Sequence, residues 1–400
     1  MKAPLLTFEE ALGQLLSAAR PVAERESVGL LDASGRVLTA DLVSALAVPP
    51  HDNSAMDGYA LRVEDVTQPA IRLPVSQRVP AGADPVPLVA GTAARIFTGA
   101  PIPPGADAVV MQERCRADGD GVVVDELPRI GQNIRRRGED IEVGAPVLSV
   151  GSRLNAAGIG LAASIGVPTV SVLRRLRVAV FFTGDELREP GEALVPGAIF
   201  NSNRYMVRSL LATLGCNVTD LGIVRDDLGA TRDALRRAAA DHDVVLTCGG
   251  VSVGEEDHVK AAVEAEGALS LWKIAIKPGK PLAFGRVGDA DFIGLPGNPV
   301  SAFVTFVMLV QAFLLRRMGL QDPMPARREV PAGFDWPRAE SRREFVRVQL
   351  DAEGRAVQHP RQGSGVLSSC AWADGLLDIA PGRSFTAGER LPYISLRETY

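Results

Sequence analysis

Cysteine and histidine are scarce in this 400-residue chain, four of each, and neither is grouped. Cys115, Cys216, Cys248 and Cys370 form no CxxC pair, and His51, His242, His258 and His359 form no HxxxH pair. Those spacings argue against structural zinc and give no ground for a disulfide framework. Any catalytic metal is then a hard cation held by carboxylates and phosphates, and reducing cytosol is the expected compartment. Basic charge is not in surplus either. The formal net charge is −5, without the basic face that a nucleic-acid partner requires. The most apolar run, Ala302 to Leu315, is too short to span a bilayer and carries Thr305 and Gln311, so a buried helix is expected and no membrane. The opening MKAPLLTFEEALGQLL does not read as a signal peptide. No GxxxxGK[ST] occurs, which disfavours a P-loop kinase.

What is present reads as several domains. Thr7 to Ala19 has the spacing of a capped amphipathic helix, with Thr7 and Glu10 as a capping box. From Val48 the chain turns to short β-like runs broken by Pro and Gly, which predicts a small all-β domain over 48–140. Asn155 to Ile165 looks helical again and is expected to pack back on the first helix. Residues 1–47 and 141–172 would then form one discontinuous linker domain. Over 173–322, compact apolar runs (RVAVFFTG, DVVLTCGG, SLWKIAI) alternate with helical segments. That alternation predicts a doubly wound α/β domain with a parallel sheet. Residues 323–400 return to short strands and predict a C-terminal β-barrel-like domain. The fold class is multi-domain α/β plus β.

Five constellations carry chemistry. In DVVLTCGGVSVGEEDHVK a buried strand runs into Gly249 and Gly250, with Ser252 and Gly254 before a helix. Such a turn aims N–H groups at an anion. Glu255, Glu256 and Asp257 crowd it, and fit equally a Mg²⁺–phosphate site or a solvated helix start. In WKIAIKPGKP, a single strand would put Lys273 and Lys277 on one face, roughly 13 Å apart at ~3.3 Å per residue, with Lys280 after the turn. Three lysines so close suit an anionic ligand better than a solvated edge. In GLPGNPVSAF, Asn298 suits an N-cap and Pro299 the first helical position, which would turn the N–H groups of Val300, Ser301 and Ala302 outward. TGDEL (Glu186) and RDD (Asp226) place acids at strand ends, where open α/β sheets bind ligands. Pro49–Arg62, Phe97–Glu113 and Gly131–Ile141 read from residue chemistry alone as turns with polar tips, with Arg135 to Arg137 a solvated loop.

NSAMDGYALR, FTGAPIPPGADAVVMQE, NIRRRGEDI, TGDEL, GIVRDD, GGVSVGEEDH, IKPGKP and GLPGNPVSAF occur in that order between Asn53 and Phe303. In this the chain closely resembles the MoeA family, which includes the gephyrin E domain. The resemblance implies a molybdopterin-binding α/β domain, a homodimer with a shared active site, and Mg²⁺-dependent insertion of molybdate into adenylyl-molybdopterin with release of AMP. It implies functional roles for Asp57, Thr98, Asp140, Glu186, Lys273 and Lys277, with Asp226, Asp257 and Glu186 on the metal. Pro296 and Pro299 would shape a loop, Lys280 and Ser301 would contact molybdate, and Arg347 and Ser368 would join from the last domain. An adenylyltransferase making the substrate and recipient molybdoenzymes are the implied partners. The alternatives are a molybdopterin adenylyltransferase, which would not need the SAMDGYA β domain, and a pterin-binding scaffold, which would need an added linker and partner-binding region.

Overall fold

A computed structural model describes residues 5–250 and 258–397. Helix α1 (Phe8–Ala18) starts on the predicted capping box: the Thr7 hydroxyl accepts from Glu10 N–H, and the Glu10 carboxylate accepts from Thr7 N–H at 2.7 Å. Asn155 caps α2 (Ala156–Ser164) by accepting from Gly158 N–H at 2.8 Å. These helices have different neighbours, contrary to the sequence expectation. The bulky stripe of α1, Phe8 and Leu15, packs on the helix Pro299–Arg317. The Gly- and Ala-rich α2 has no such bulk, and packs on Leu30–Asp32 and Pro146–Leu148 beside Leu38, Leu154 and Val172.

The central sheet contains β1 (Arg177–Thr183), β2 (Asn217–Val224), β3 (Val244–Cys248), β4 (Gly267–Lys273), β5 (Pro281–Val287) and β6 (Ala290–Leu295), in the order β2-β1-β3-β6-β5-β4. Strands β2, β1, β3 and β6 pair in parallel. Strand β5 pairs antiparallel with β6, and β4 antiparallel with β5, so β5 alone is reversed and β4 runs in the direction of the other four. The sheet is therefore mixed where a parallel one was expected. Alternation along β1 sorts its two faces. Val178, Val180 and Phe182 face α1, α3 (Ser202–Leu214) and the helix Pro299–Arg317. Ala179 and Phe181 face α4 (Leu228–Asp241) and α5 (His258–Glu266). The helix Pro299–Arg317 is apolar and long enough to cross a membrane, but 89% of its most apolar stretch is buried in this core, as predicted.

SLWKIAIK does not form one strand. Strand β4 stops at Lys273 because the next backbone groups are taken elsewhere: Leu6 N–H bonds Lys273 C=O at 2.9 Å, Ala275 N–H bonds Leu6 C=O at 2.7 Å, and Ile274 N–H bonds Lys280 C=O at 2.7 Å. Ile276–Lys277 then pairs with Arg343–Leu350 in the C-terminal sheet. Lys273 and Lys277 thus belong to different sheets. Among the C-terminal strands, a bridge between Ala332 and Ala356 joins the Arg327–Pro331 end of the path to Ala356–Gln358, so the sheet curls onto itself. In the N-terminal half, a six-stranded mixed sheet is built around Gly58–Leu61, Ala93–Ile96 and Ile71–Val79. Gly58 is required there, because a Cβ would lie 2.0 Å from the Val110 carbonyl oxygen.

Asp243, just before β3, ties the linker to the sheet. It accepts from both Arg174 guanidinium nitrogens at 2.7 and 2.8 Å and from Arg177 N–H at 2.8 Å. Burial works to raise its pKa, but these partners outweigh burial and hold it below the ordinary carboxylate value. A depressed pKa contributes stability that is present above the unfolded-state value, about 3.9, and is lost as pH falls through the folded one. Asp243→Asn should cost about 1–3 kcal/mol at neutral pH. Its thermal midpoint should also fall less steeply than wild type as pH is lowered from about 5, as read by calorimetry across that range.

Candidate functional site

The parallel strands end together, and a cleft of about 720 Å³ opens at their carboxyl ends, where sheets of this type bind ligands. Gly249 and Gly250 follow β3 with φ of 99° and 61°. A Cβ on Gly249 would lie 2.8 Å from the Thr183 carbonyl oxygen, so the turn needs glycine for space as well as for conformation. Glu186 and Asp226 line the same cleft, and Asp226 accepts from the Thr183 hydroxyl at 3.2 Å. Ser252, Gly254 and Asp257 lie outside the described residues.

Pro296, Pro299 and Ser301 form another wall, and Gly365 of the C-terminal part reaches it as well. The helix start there differs from expectation. The Asn298 side chain makes no cap hydrogen bond. Val300 N–H already bonds Ser364 C=O at 3.0 Å, and Ala302 N–H bonds Asn298 C=O at 2.9 Å. Of the three residues expected to present N–H groups, Ser301 is the one that lines the cleft.

None of the four predicted cations, Lys273, Lys277, Lys280 and Arg347, lines the cleft. Arg347 is fully buried at 1% exposure. Its guanidinium donates to neutral acceptors, Ser369 Oγ at 3.1 Å and the carbonyls of Phe345 and Gly363 at 3.2 and 3.4 Å. Burial pulls its pKa down. Lys277 is held differently, 3.2 Å from Glu344 and 3.5 Å from Glu340. Lys273 closes the end of β4 and Lys280 is exposed; neither lines the cleft.

Asp57, Thr98 and Asp140 also stand outside this cleft. Asp57 accepts from Thr98 N–H at 2.8 Å and from the Thr98 hydroxyl at 2.7 Å. The Thr98 N–H bond, then the hydroxyl, hold its carboxyl below the usual range. Asp140 is exposed, and its backbone N–H bonds Val48 C=O at 3.0 Å.

Residues 6–166 match the MoeA N-terminal region (domain I and II), residues 179–316 a probable molybdopterin binding domain, and residues 329–396 the MoeA C-terminal region (domain IV). A Mycobacterium tuberculosis protein named molybdopterin molybdenumtransferase 2 is 38% identical over 93% of this chain and 94% of its own length. This chain belongs to the MoeA family. A Haemophilus influenzae molybdopterin molybdenumtransferase is 44% identical over 79% of this chain and 78% of its own. A MoeA structure from Pyrococcus horikoshii OT3 matches with a TM-score of 0.81 at 31% identity, over 98% of this chain and 100% of that one. The chain is accordingly an enzyme of molybdenum cofactor biosynthesis, of the molybdopterin molybdenumtransferase class.

Several groups in this MoeA cleft escape sequence reasoning. Asn203 lines it and donates to Gly297 C=O at 2.7 Å and to the Cys248 sulfur at 3.0 Å. Cys248 is itself a cleft residue whose thiol burial pushes up to about 12. Ser369 touches Arg347, whereas its neighbour Ser368 is exposed; adjacent serines on a short helix cannot be told apart by pattern.

If the Gly249 turn is as constrained as its contacts indicate, Gly249→Ala should lower stability by about 1–3 kcal/mol through strain at positive φ and the crowded Thr183 carbonyl. Urea denaturation of the two proteins measures this, and an unchanged midpoint would contradict it.

Proposed function

We propose that this enzyme inserts molybdate into adenylyl-molybdopterin in a Mg²⁺-dependent reaction that releases AMP. The observation that carries the reading is one cleft that combines a glycine turn suited to phosphate with two carboxylates, Glu186 and Asp226. Mg²⁺ commonly takes one or two carboxylates and completes its shell with water and substrate phosphates, so this donor set fits it. Among the described residues no group of three or more acids, His or Cys is placed to hold a metal unaided. Glu186 and Asp226, with Asp257, would hold the ion, which would supply charge neutralisation at the phosphates.

In this reading the turn binds the substrate phosphate through the Gly250 N–H, since Gly249 N–H already bonds Leu295 C=O at 3.2 Å. The Thr183 hydroxyl orients Asp226. Lys273 and Lys277 flank the phosphate-bearing pterin and its adenylate. Molybdate sits near Lys280, Ser301 and Arg347, where a buried guanidinium with only neutral partners favours an oxyanion. An oxygen of molybdate attacks the adenylyl phosphorus, the phosphoanhydride bond breaks, and the molybdopterin phosphate leaves with adenylyl-molybdate formed. One dithiolene sulfur then displaces AMP, which carries off the former molybdate oxygen. The other displaces a second oxygen as water with the thiol protons, so no oxidation state changes. Catalysis is then mainly positioning and charge stabilisation. We place the reaction in the cytosol, between an adenylyltransferase that supplies the substrate and the molybdoenzymes that receive the product; the four cysteines are free thiols.

The same reading makes the enzyme a homodimer in which Asp57, Thr98 and Asp140 of one subunit complete the cleft of the other. Their position outside the cleft of their own chain supports this arrangement.

AMP release from adenylyl-molybdopterin should require both molybdate and Mg²⁺. Equal AMP release by chelator-treated protein with neither added would defeat the proposed reaction. Asp57→Asn and Asp226→Asn should each be inactive alone. After dissociation and reassociation as a mixture, about half the dimers are mixed, each with one intact site, so about a quarter of wild-type activity should return. With subunit exchange verified by two tags, a mixture that stays inactive would show that each site lies within one chain.

A further inference from the structure

Asp57 and Thr98 sit on separate strand ends of the N-terminal mixed sheet, and their mutual hydrogen bonds span 41 residues of sequence. Such a pair keeps its geometry only if both backbone segments are fixed to each other. The side chain that reaches both is Arg95, on the strand Ala93–Ile96. Its Nη1 donates to Gly58 C=O at 3.0 Å, one residue beyond Asp57. Its Nη2 donates to Gln112 Oε1 at 2.7 Å, and Gln112 N–H in turn bonds the Asp57 carbonyl at 3.0 Å. The guanidinium also lies over the Phe97 ring at 4.8 Å, immediately before Thr98, and over Tyr59 at 5.1 Å. Arg78 covers Phe97 as well, at 4.6 Å.

We propose that Arg95 is a positioning residue for the Asp57–Thr98 pair, fixing the backbone on both sides of it. The assignment rests on the reading that this pair serves the reaction. Rigid planarity suits guanidinium to the task, because its fork and its face act at once. Lysine could supply one hydrogen bond or one cation–π contact, not all of them. Among the described residues, Arg95 has no carboxylate within 4.0 Å. Its removal therefore strands no buried acid, and the fold should survive. Its positive charge also favours the ionised form of Asp57, in addition to the two Thr98 bonds.

The test compares Arg95→Gln, Arg95→Lys and Thr98→Val in the full-length protein by two readouts. One is amide hydrogen exchange at Thr98, which needs no substrate. The other is AMP release with separate kcat and KM for molybdate. Arg95→Gln should speed Thr98 exchange at least about tenfold and lower kcat about 10- to 100-fold, while KM changes less than about threefold. Arg95→Lys should recover part of both. In a Thr98→Val background, Arg95→Gln should cost no more than about a further twofold, because both changes disable one unit. Unchanged Thr98 exchange in Arg95→Gln overturns the proposal, whatever happens to turnover. So do fully additive losses, which would mean that Arg95 acts elsewhere. If wild type releases no AMP at all, the reaction reading fails and Thr98 exchange alone decides the role of Arg95. If Arg95→Gln does not fold, Arg95→Lys carries the same two readouts.

Discussion

Burial of β1 on both faces is the constraint from which the rest of the molecule follows. Its residues from Val178 to Thr183 are all buried, alternately under the α1, α3 and Pro299–Arg317 layer and under the α4 and α5 layer. A strand covered in this way has no free face on which to build chemistry. Only its end is open, and parallel neighbours open at the same end. Thr183, Asp226, Cys248 and Pro296 therefore converge from four strands that share one direction, with no long-range device needed to gather them. The glycines after β3 complete the consequence: Thr183 leaves no room for a Cβ on Gly249, whose N–H bonds Leu295 C=O at 3.2 Å and ties the turn to β6.

That logic explains which parts of the protein were legible in its sequence. Capping at Thr7 is local chemistry, and it was read correctly from spacing alone. The α/β core was legible because its apolar runs report burial on two faces. The reversal of β5 was not, since a strand has the same apolar texture whichever way it runs. Nor was the break after Lys273, which depends on Leu6, a residue more than 260 positions earlier, competing for the same backbone groups. The neighbours of α1 and α2 were misjudged for a related reason: periodicity gives a helix its apolar stripe, but only side-chain volume selects the partner.

Within the site, acids at strand ends and the glycine turn could be picked out because strand ends are predictable. Asn203 and Ser369 could not. Each is defined by what it touches, Gly297 and Cys248 in one case and Arg347 in the other, and those partners come from distant sequence. Asp57 and Thr98 are the intermediate case. From residue chemistry alone they are turn residues; resemblance to the MoeA family singled them out, and the structure shows them to be hydrogen-bonded to each other.

The basic residues assigned to anions differ most in what already neutralises them. Lys277 has two carboxylates within 3.5 Å, and Glu344 beside it is 4% exposed. An anion arriving there must displace or share those partners, so the gain from its charge is offset by the ion pairs it weakens. Arg347 has donated only to a hydroxyl and two carbonyls. A buried cation with neutral partners alone is held at a cost, and burial has drawn its pKa down accordingly. An oxyanion beside it would recover that cost instead of competing for it. Under the proposed function, charge balance favours Arg347 over Lys277 as an anion contact, while Lys277 stays paired with Glu344 in the C-terminal sheet. The same criterion separates Arg95 from the paired surface arginines: its contacts are carbonyls and ring faces, so it fixes geometry around Asp57 without quenching the carboxylate that the proposed chemistry uses.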